Sequence, residues 1–493
     1  MVVFLVSLNL NSFTHIKIHN LLLKNMNNKI KLVIVTGFLL GILLSSCKKD
    51  REQAPVTNNQ TETVIAADAG QAIETLSEEY FRKHSDEKEN EEQLITVTKD
   101  FLAYNQGTEE FGRKKPCRIQ PIYAYGVEGV AYYEVWFTED DNTVKGWMLV
   151  SATEKDLPLL NFSNGIPYSS RLLEEAQEGD KVYRFGVSYF VLERNGNKVS
   201  EYGQMPDVYS VGGTESGGKS KNGNVAYDGD NSGANLREGV DYYEITGYES
   251  LKSIFPKVYF TEERVSDSRS MRMEIRSRRE TVANARIADA YSYAWVNGPF
   301  CYYTQIPPVS GYNPFSCYSG CNNNAWASLY GWWDLNRGKV NLIPTSFEGE
   351  AIPQFMNTIA RRYAVEPVIM RIRSLCGTYC KKDVGMTKWS NMHKGYLYVG
   401  EKGYGHDAWW RWCDNSGCHS YLADIVTDGI ANNGTPVIIG ANSHMYVGYG
   451  WAQMPNNTNA TWAYCYPAWQ ENHNDDVWIH WRDFNASTRI FVY

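Results

Sequence analysis

The stretch from Ser316 to Asp334, S-C-Y-S-G-C-N-N-N-A-W-A-S-L-Y-G-W-W-D, constrains this chain most, because a loop must become a helix at one cysteine. Gly311, Asn313, Pro314, Ser316, Ser319 and Gly320 are turn formers on its upstream side. Downstream, Ala325, Leu329 and Trp332 recur at helical spacing and predict one shared face. Cys321 therefore falls at a helix N-terminus. Unpaired N–H groups and the positive end of the helix dipole favour a thiolate there, which turns a weak acid into a nucleophile. The alternative, for a cysteine in an exported chain, is a buried thiol or a disulfide.

His444 follows 123 residues later, in Pro436-Val437-Ile438-Ile439-Gly440-Ala441-Asn442-Ser443-His444-Met445-Tyr446-Val447-Gly448-Tyr449-Gly450. An apolar strand leads to a short break, and the histidine opens a second strand. A histidine so placed suits the pairing of imidazolium with thiolate. Gln305, in Tyr303-Thr304-Gln305-Ile306-Pro307, supplies a side-chain amide of the kind that stabilises an oxyanion.

The N-terminus predicts the compartment. Lys29 and Lys31 precede an apolar run, Leu32 to Leu44, which ends Leu44-Ser45-Ser46-Cys47. Residues 1–47 are expected to be a signal peptide, with Met26 the better start, and the run is short for a membrane span. The ending resembles a bacterial lipoprotein box, which implies that Cys47 is acylated. Lys48-Lys49-Asp50 resembles a surface-export tag of the Bacteroidetes type. The protein is then expected to be exported and lipid-anchored to the outer membrane, at the cell surface.

Residues 48–70 read as a polar tether. Within 71–210, Gln71 to Tyr104 has a helical pattern broken by the charged cluster His84 to Glu92, and residues 117–200 read as β. Tyr132 to Phe137 and Trp147 to Ser151 are predicted strands, with further β structure at 182–192 before an Asn195-Gly196 turn. Residues 211–289 read as a flexible linker, Gly/Ser/Asn-rich up to 238. Its later part carries Arg264, Arg269, Arg272, Arg276, Arg278, Arg279 and Arg286, a segment suited to activating cleavage. Residues 290–493 have the length of one compact domain.

A net charge of −8 offers nothing to nucleic acid, and ten cysteines suit an exported protein. Setting aside Cys47 and Cys321 leaves eight, among which Cys376/Cys380 and Cys413/Cys418 are close enough to predict disulfides. The competing reading of those four is a zinc site with His406 or His419.

Two sets of motifs carry a resemblance. Gly146-Trp147-Met148-Leu149-Val150-Ser151-Ala152, followed by Leu157-Pro158-Leu159-Leu160-Asn161-Phe162-Ser163-Asn164-Gly165, resembles the propeptide of streptopain-type cysteine peptidases. The order Gln305, Gly320-Cys321 with Ala325 and Trp332-Trp333, then Gly434-Thr435-Pro436-Val437-Ile438 before His444 and Val447-Gly448-Tyr449, resembles the papain superfamily. Its streptopain-type and bacteriocin-leader-type branches are the most similar. The resemblance implies an α+β fold, a papain-like peptidase domain preceded by a small antiparallel α+β propeptide-like domain. It makes Cys321 the nucleophile, His444 the general base and acid, and Gln305 the oxyanion donor, with no metal and no cofactor. The residue orienting the histidine stays open among Tyr466, Asn472 and Asp475. The expected partners are a peptide or protein substrate, the membrane through the lipid, and the chain's own N-terminal domain as an intramolecular inhibitor. Two alternatives remain at this point: an inactive papain-fold surface binding protein, and another Cys-His acyl transfer, transglutamination or peptidoglycan amide hydrolysis.

Overall fold

The computed structural model describes residues 59–493 apart from 106–110, 140–142, 188, 204, 207, 212–215, 222–223, 227–240, 283–291, 296–318, 344–357, 382–383, 413–418, 443, 454–460 and 469–475. Helices α1 (Asn59–Lys83) and α2 (Glu91–Tyr104) are separated by a 3-10 turn at Ser85–Asn90, inside the charged cluster expected to break the helix. No residue of that turn is buried, since six polar side chains in a row give it nothing to pack. Ile73, Phe81, Leu94, Val97 and Phe101 bring the two helices onto the core.

Four strands follow as an antiparallel meander: β1 (Lys115–Ile122), β2 (Tyr132–Thr138), β3 (Val144–Ser151) and β4 (Leu159–Ser163). Tyr132 to Phe137 is buried at every position, so this strand is covered on both faces and reads as a continuous apolar run. Strands β5 (Lys181–Arg184), β6 (Phe190–Arg194) and β7 (Asn197–Tyr202) make a separate small sheet. Asn195 and Gly196 both take positive φ, 51° and 83°, as a two-residue hairpin turn requires.

Within the segment expected as a linker over 211–289, the described residues form regular elements. Strand β8 (Val208–Val211) pairs with β11 (Asp241–Glu244), and β9 (Ser216–Lys221) with β10 (Asn224–Ala226) adds a hairpin to the large sheet. Glycine and serine deny such a segment side-chain packing, but the backbone ladder needs none. Helices α3 (Tyr248–Tyr259) and α4 (Glu262–Val282) complete the region. The arginine-rich segment is thus helical over Glu262–Val282. Arg264 and Arg272 are each 7% exposed, whereas Arg269 is solvated. Their partners lie more than a hundred residues away in sequence, beyond the reach of local reasoning: Arg264 Nε donates to Asp156 Oδ1 at 2.5 Å, and Arg272 Nη2 to the Asp156 carbonyl at 3.2 Å.

The C-terminal part comprises β12 (Ser292–Trp295), α5 (Cys321–Arg337), α6 (Thr358–Leu375), the hairpin β13 (Tyr379–Lys381) and β14 (Val384–Met386), β15 (His406–Trp412), α7 (His419–Thr427), β16 (Val437–Ala441), β17 (His444–Gln453), β18 (Thr461–Tyr466), β19 (Val477–His480) and β20 (Phe484–Val492). One 13-stranded sheet unites both parts, in the order β1-β2-β3-β4-β19-β18-β17-β16-β20-β15-β9-β10, with β12 on β17. All described pairings within it are antiparallel. The fold is therefore α+β, and residues 62–493 cluster as one unit.

Helix α5 is more deeply placed than its spacing predicts. Every residue from Asn322 to Asp334 is buried, not one face alone, because β16 and β17 cover one side and α6 another. Trp326 Nε1 donates to the Met392 carbonyl at 2.8 Å and the Tyr330 hydroxyl to the Gly395 carbonyl at 2.6 Å. Both polar tips of its central aromatic pair are thereby satisfied.

Candidate active site

Cys321 is the first residue of α5, as the loop-to-helix reading requires. Gly320 caps it with φ 89° and ψ 150°. A Cβ at Gly320 would stand 2.2 Å from the Gly385 carbonyl oxygen in the β13–β14 hairpin, and it would carry a φ that side chains avoid. Gly320→Ala is expected to push that hairpin off the cysteine and cost about 1–3 kcal/mol, read as a lowered denaturant midpoint. An unchanged midpoint would show that the hairpin yields freely.

Burial pushes the Cys321 thiol up to about 11, against a smaller lowering by the backbone N–H groups of Met445, Asn322 and Cys321 itself. Helix α5 packs along β17, the strand that opens with His444 and Met445.

His444 is buried, with its Nε2 2.6 Å from the Pro467 carbonyl oxygen. A carbonyl can only accept, so Nε2 carries the proton and Nδ1 holds the basic lone pair. The Tyr446 ring meets the imidazole edge-on at 4.6 Å. Burial pushes His444 down to about 4, against a smaller upward effect of the Pro467 carbonyl. The two shifts run in opposite directions, thiol up and imidazole down, and both disfavour the charged forms.

The histidine's orienting group is a main-chain carbonyl. Tyr466, one of three candidates, is a buried β18 residue paired with Val447, and Pro467 just after it makes the bond. Asn472 and Asp475 lie outside the described residues, as do Gln305, Cys47, Cys413 and Cys418. Asp476 is buried and accepts from the Tyr449 hydroxyl.

The three asparagines after Cys321 are all buried and each serves the site's walls. Asn323 Nδ2 donates to the Ser319 carbonyl at 2.5 Å and to Thr378 Oγ1 at 3.2 Å, tying the helix start to the base of the β13–β14 hairpin. Asn324 accepts from Ser319 Oγ at 3.1 Å and donates to the Ala468 carbonyl at 3.5 Å, so α5 grips the turn that orients His444. Asn322 Nδ2 donates to Asn323 Oδ1 at 3.5 Å, and the nearby Cys376 thiol, which burial pushes up to about 12, donates to the Met392 carbonyl at 3.8 Å. A backbone carbonyl has no residue signature, so Pro467 was invisible in the sequence; the asparagine triplet was the available signal.

Cys376 is a free, buried thiol, and the expected Cys376/Cys380 disulfide does not form. Cys380 is disulfide-bonded, but not to Cys376. Cys376 faces inward from the end of α6 toward Asn322, while Cys380 stands on the exposed hairpin, and close spacing could not reveal that divergence. Cys117 and Cys465 are also free. Among the described residues no cluster of three or more His, Cys, Asp or Glu side chains is placed to hold a metal.

His393, stacked on Trp410 at 4.2 Å, is likewise held down, to about 3, by burial. For His393 and His444 the folded pKa lies below the ordinary 6.5, so protonation favours the unfolded chain. Their contribution is complete above pH 6.5 and drains away as the pH falls toward 4 and then 3, by about 1.4 kcal/mol per pH unit per histidine. Unfolding midpoints should hold steady above pH 7 and decline below about 6, with a shallower decline in His393→Phe. An equal decline in that variant would remove His393 from the account.

No protein-family model matches the chain, and no curated protein matches it.

Proposed function

We propose that the chain is a cell-surface lipoprotein cysteine peptidase precursor, with a papain-like domain over 290–493 and a propeptide-like domain over 71–210. One observation carries the reading: helix α5, with Cys321 at its N-terminus, packs on β17, the strand that His444 opens. A helix start and an imidazole of fixed tautomer on the neighbouring strand are what a thiol nucleophile needs.

In the proposed reaction a bound peptide brings its carbonyl to Cys321. The thiol proton passes to His444 Nδ1, and sulfur adds to the carbonyl carbon. Backbone N–H groups at the start of α5 and the Gln305 amide meet the oxyanion. The C–N bond then breaks as His444 returns the proton to the leaving amine, which leaves a thioester. Water gives a proton to His444 and adds to the thioester, and the acid departs as the thiol re-forms. The N-terminal part is proposed as the intramolecular inhibitor. It bears on the site at Gly186, where an added Cβ would stand 2.9 Å from Asn442 Cγ, two residues before His444.

Burial that pushes the Cys321 thiol up and the His444 imidazole down favours a second reading, an inactive surface binding protein on the same fold. Iodoacetamide labelling of Cys321 against pH, with and without saturating peptide, separates the two. The peptidase reading expects peptide to move the labelling profile toward neutral pH; the binding reading expects the alkaline profile to persist. Running peptides, glutamine–amine pairs and peptidoglycan stems as substrates distinguishes hydrolysis of proteins from the other acyl transfers. Turnover of none of them, with the full chain or with chain cut between Ala226 and Asp241, would sink the enzyme reading.

A further inference from the structure

We propose that the N-terminal half is a lasting partner of the catalytic half, which stays docked after the connecting chain is cut and is needed to hold the His444 support in place. Only the second clause rests on the reading of Cys321 and His444 as a reactive pair. The resemblance to peptidase propeptides implies an intramolecular inhibitor but not its departure, and the interface argues that it stays.

The union is first a matter of sheet. Strand β4 pairs with β19, Phe162 opposite Trp478 and Asn161 opposite Ile479. Side chains extend the ladder: Asn161 Nδ2 donates to the Trp478 carbonyl at 3.2 Å, and Trp462 Nε1 to the Leu160 carbonyl at 3.1 Å. Ser163 Oγ donates to the Asp476 carbonyl. Phe162 stacks on Trp478 at 5.4 Å, and all three rings, Phe162, Trp462 and Trp478, are buried. At the far end of the same sheet, β9 runs along β15 from Lys221 opposite Asp407 to Ser216 opposite Trp412. The N-terminal half thus covers strands of the catalytic half at two separate places.

A polar core fastens the middle. Asp156 of the N-terminal half accepts from Arg264 Nε at 2.5 Å and from the Tyr132 hydroxyl at 2.9 Å. Arg264 reaches on to Asp483 at 2.9 Å, and Arg184 Nη1 donates to the Tyr259 hydroxyl at 2.8 Å. Gly126 lies so close to Pro256 that an added Cβ would stand 2.5 Å away. Departure of residues 62–226 would strip the β19 edge and leave Trp462 and Trp478 facing water. An open edge beside exposed tryptophans is the arrangement that soluble proteins avoid.

The consequence for the site follows from strand order. β19 supports β18, and β18 runs into Pro467, whose carbonyl holds the imidazole. Removing β4 therefore loosens the support of His444 through two strands. Whatever restraint the Gly186 turn places on Asn442 must be lifted by local movement of that turn.

The test uses the full chain with a specific protease site inserted between Ala226 and Asp241. After cutting, the two fragments should co-elute at the volume of the intact chain even in about 1 M salt, where ion pairs between exposed groups are screened. They should separate only in denaturant, and Phe162→Asp should make them separate in buffer. Elution of the C-terminal fragment alone from the cut wild type would overturn the proposal, whether that fragment is folded or aggregated. A second readout is Cys321 labelling, which should be unchanged by the cut and altered when Phe162→Asp releases the N-terminal fragment. Unaltered labelling after release would overturn the supporting role. Co-elution requires no turnover, so failure of the peptidase reading and failure of this one are told apart.

Discussion

Cys321→Ala is expected, on the proposed peptidase reading, to abolish thiol-dependent peptide hydrolysis, by roughly 10⁴-fold or more, while leaving the chain folded. The size follows from what is lost. Without sulfur no acyl-enzyme forms, and the remaining N–H groups can polarise a carbonyl but not attack it. The small effect on stability follows from what remains. Cys321 is only partly buried, and alanine keeps the helix start, its Gly320 cap and the Asn323 and Asn324 bonds. Initial rates with a fluorogenic peptide, beside a denaturant titration of the same sample, check both halves. Equal rates in wild type and variant would assign any hydrolysis to another centre or to a contaminant.

Arg264→Ala should be the most damaging of the stability changes. Its guanidinium is shared by Asp156, Asp483 and the Tyr259 hydroxyl, at 2.5, 2.9 and 2.6 Å. Both carboxylates are buried, at 0% and 3% exposure, so truncation leaves two negative charges in a site built for neutrality. Breaking a buried pair from one side costs about 3–5 kcal/mol, and a domain's whole stability is on the order of 5–15 kcal/mol. Arg184, 4.0 Å from Asp156, offsets part of the loss. Urea unfolding of the variant measures the change, and a loss below about 1 kcal/mol would mean that water enters and solvates the pair of acids.

The sequence was most informative where local rules and packing agree. The helix beginning at Cys321, the strand beginning at His444, the aromatic strand at Tyr132 and the Asn195-Gly196 turn each depend on a few neighbouring residues. It misled where distant partners decide. Ser216 to Lys221 has no apolar side chain and reads as linker, yet a free edge at β15 gives its backbone a ladder. Arg264 and Arg272 read as solvated until Asp156 is placed beside them. Cys376 and Cys380 are close along the chain but point to different environments. At the site, the Cys321 and His444 positions were legible because motif and secondary structure mark them. The Pro467 carbonyl was not, since any residue can present one.

The pairing of β4 with β19 also governs when the molecule can assemble. Asn161 and Trp478 are 317 positions apart, and closing so long a loop comes late and slowly in folding. The strand that steadies the His444 support is incorporated only after nearly the whole polypeptide has emerged. A nascent or truncated chain consequently lacks that pairing, and the Pro467 carbonyl beside His444 gains its full support only when synthesis is nearly complete.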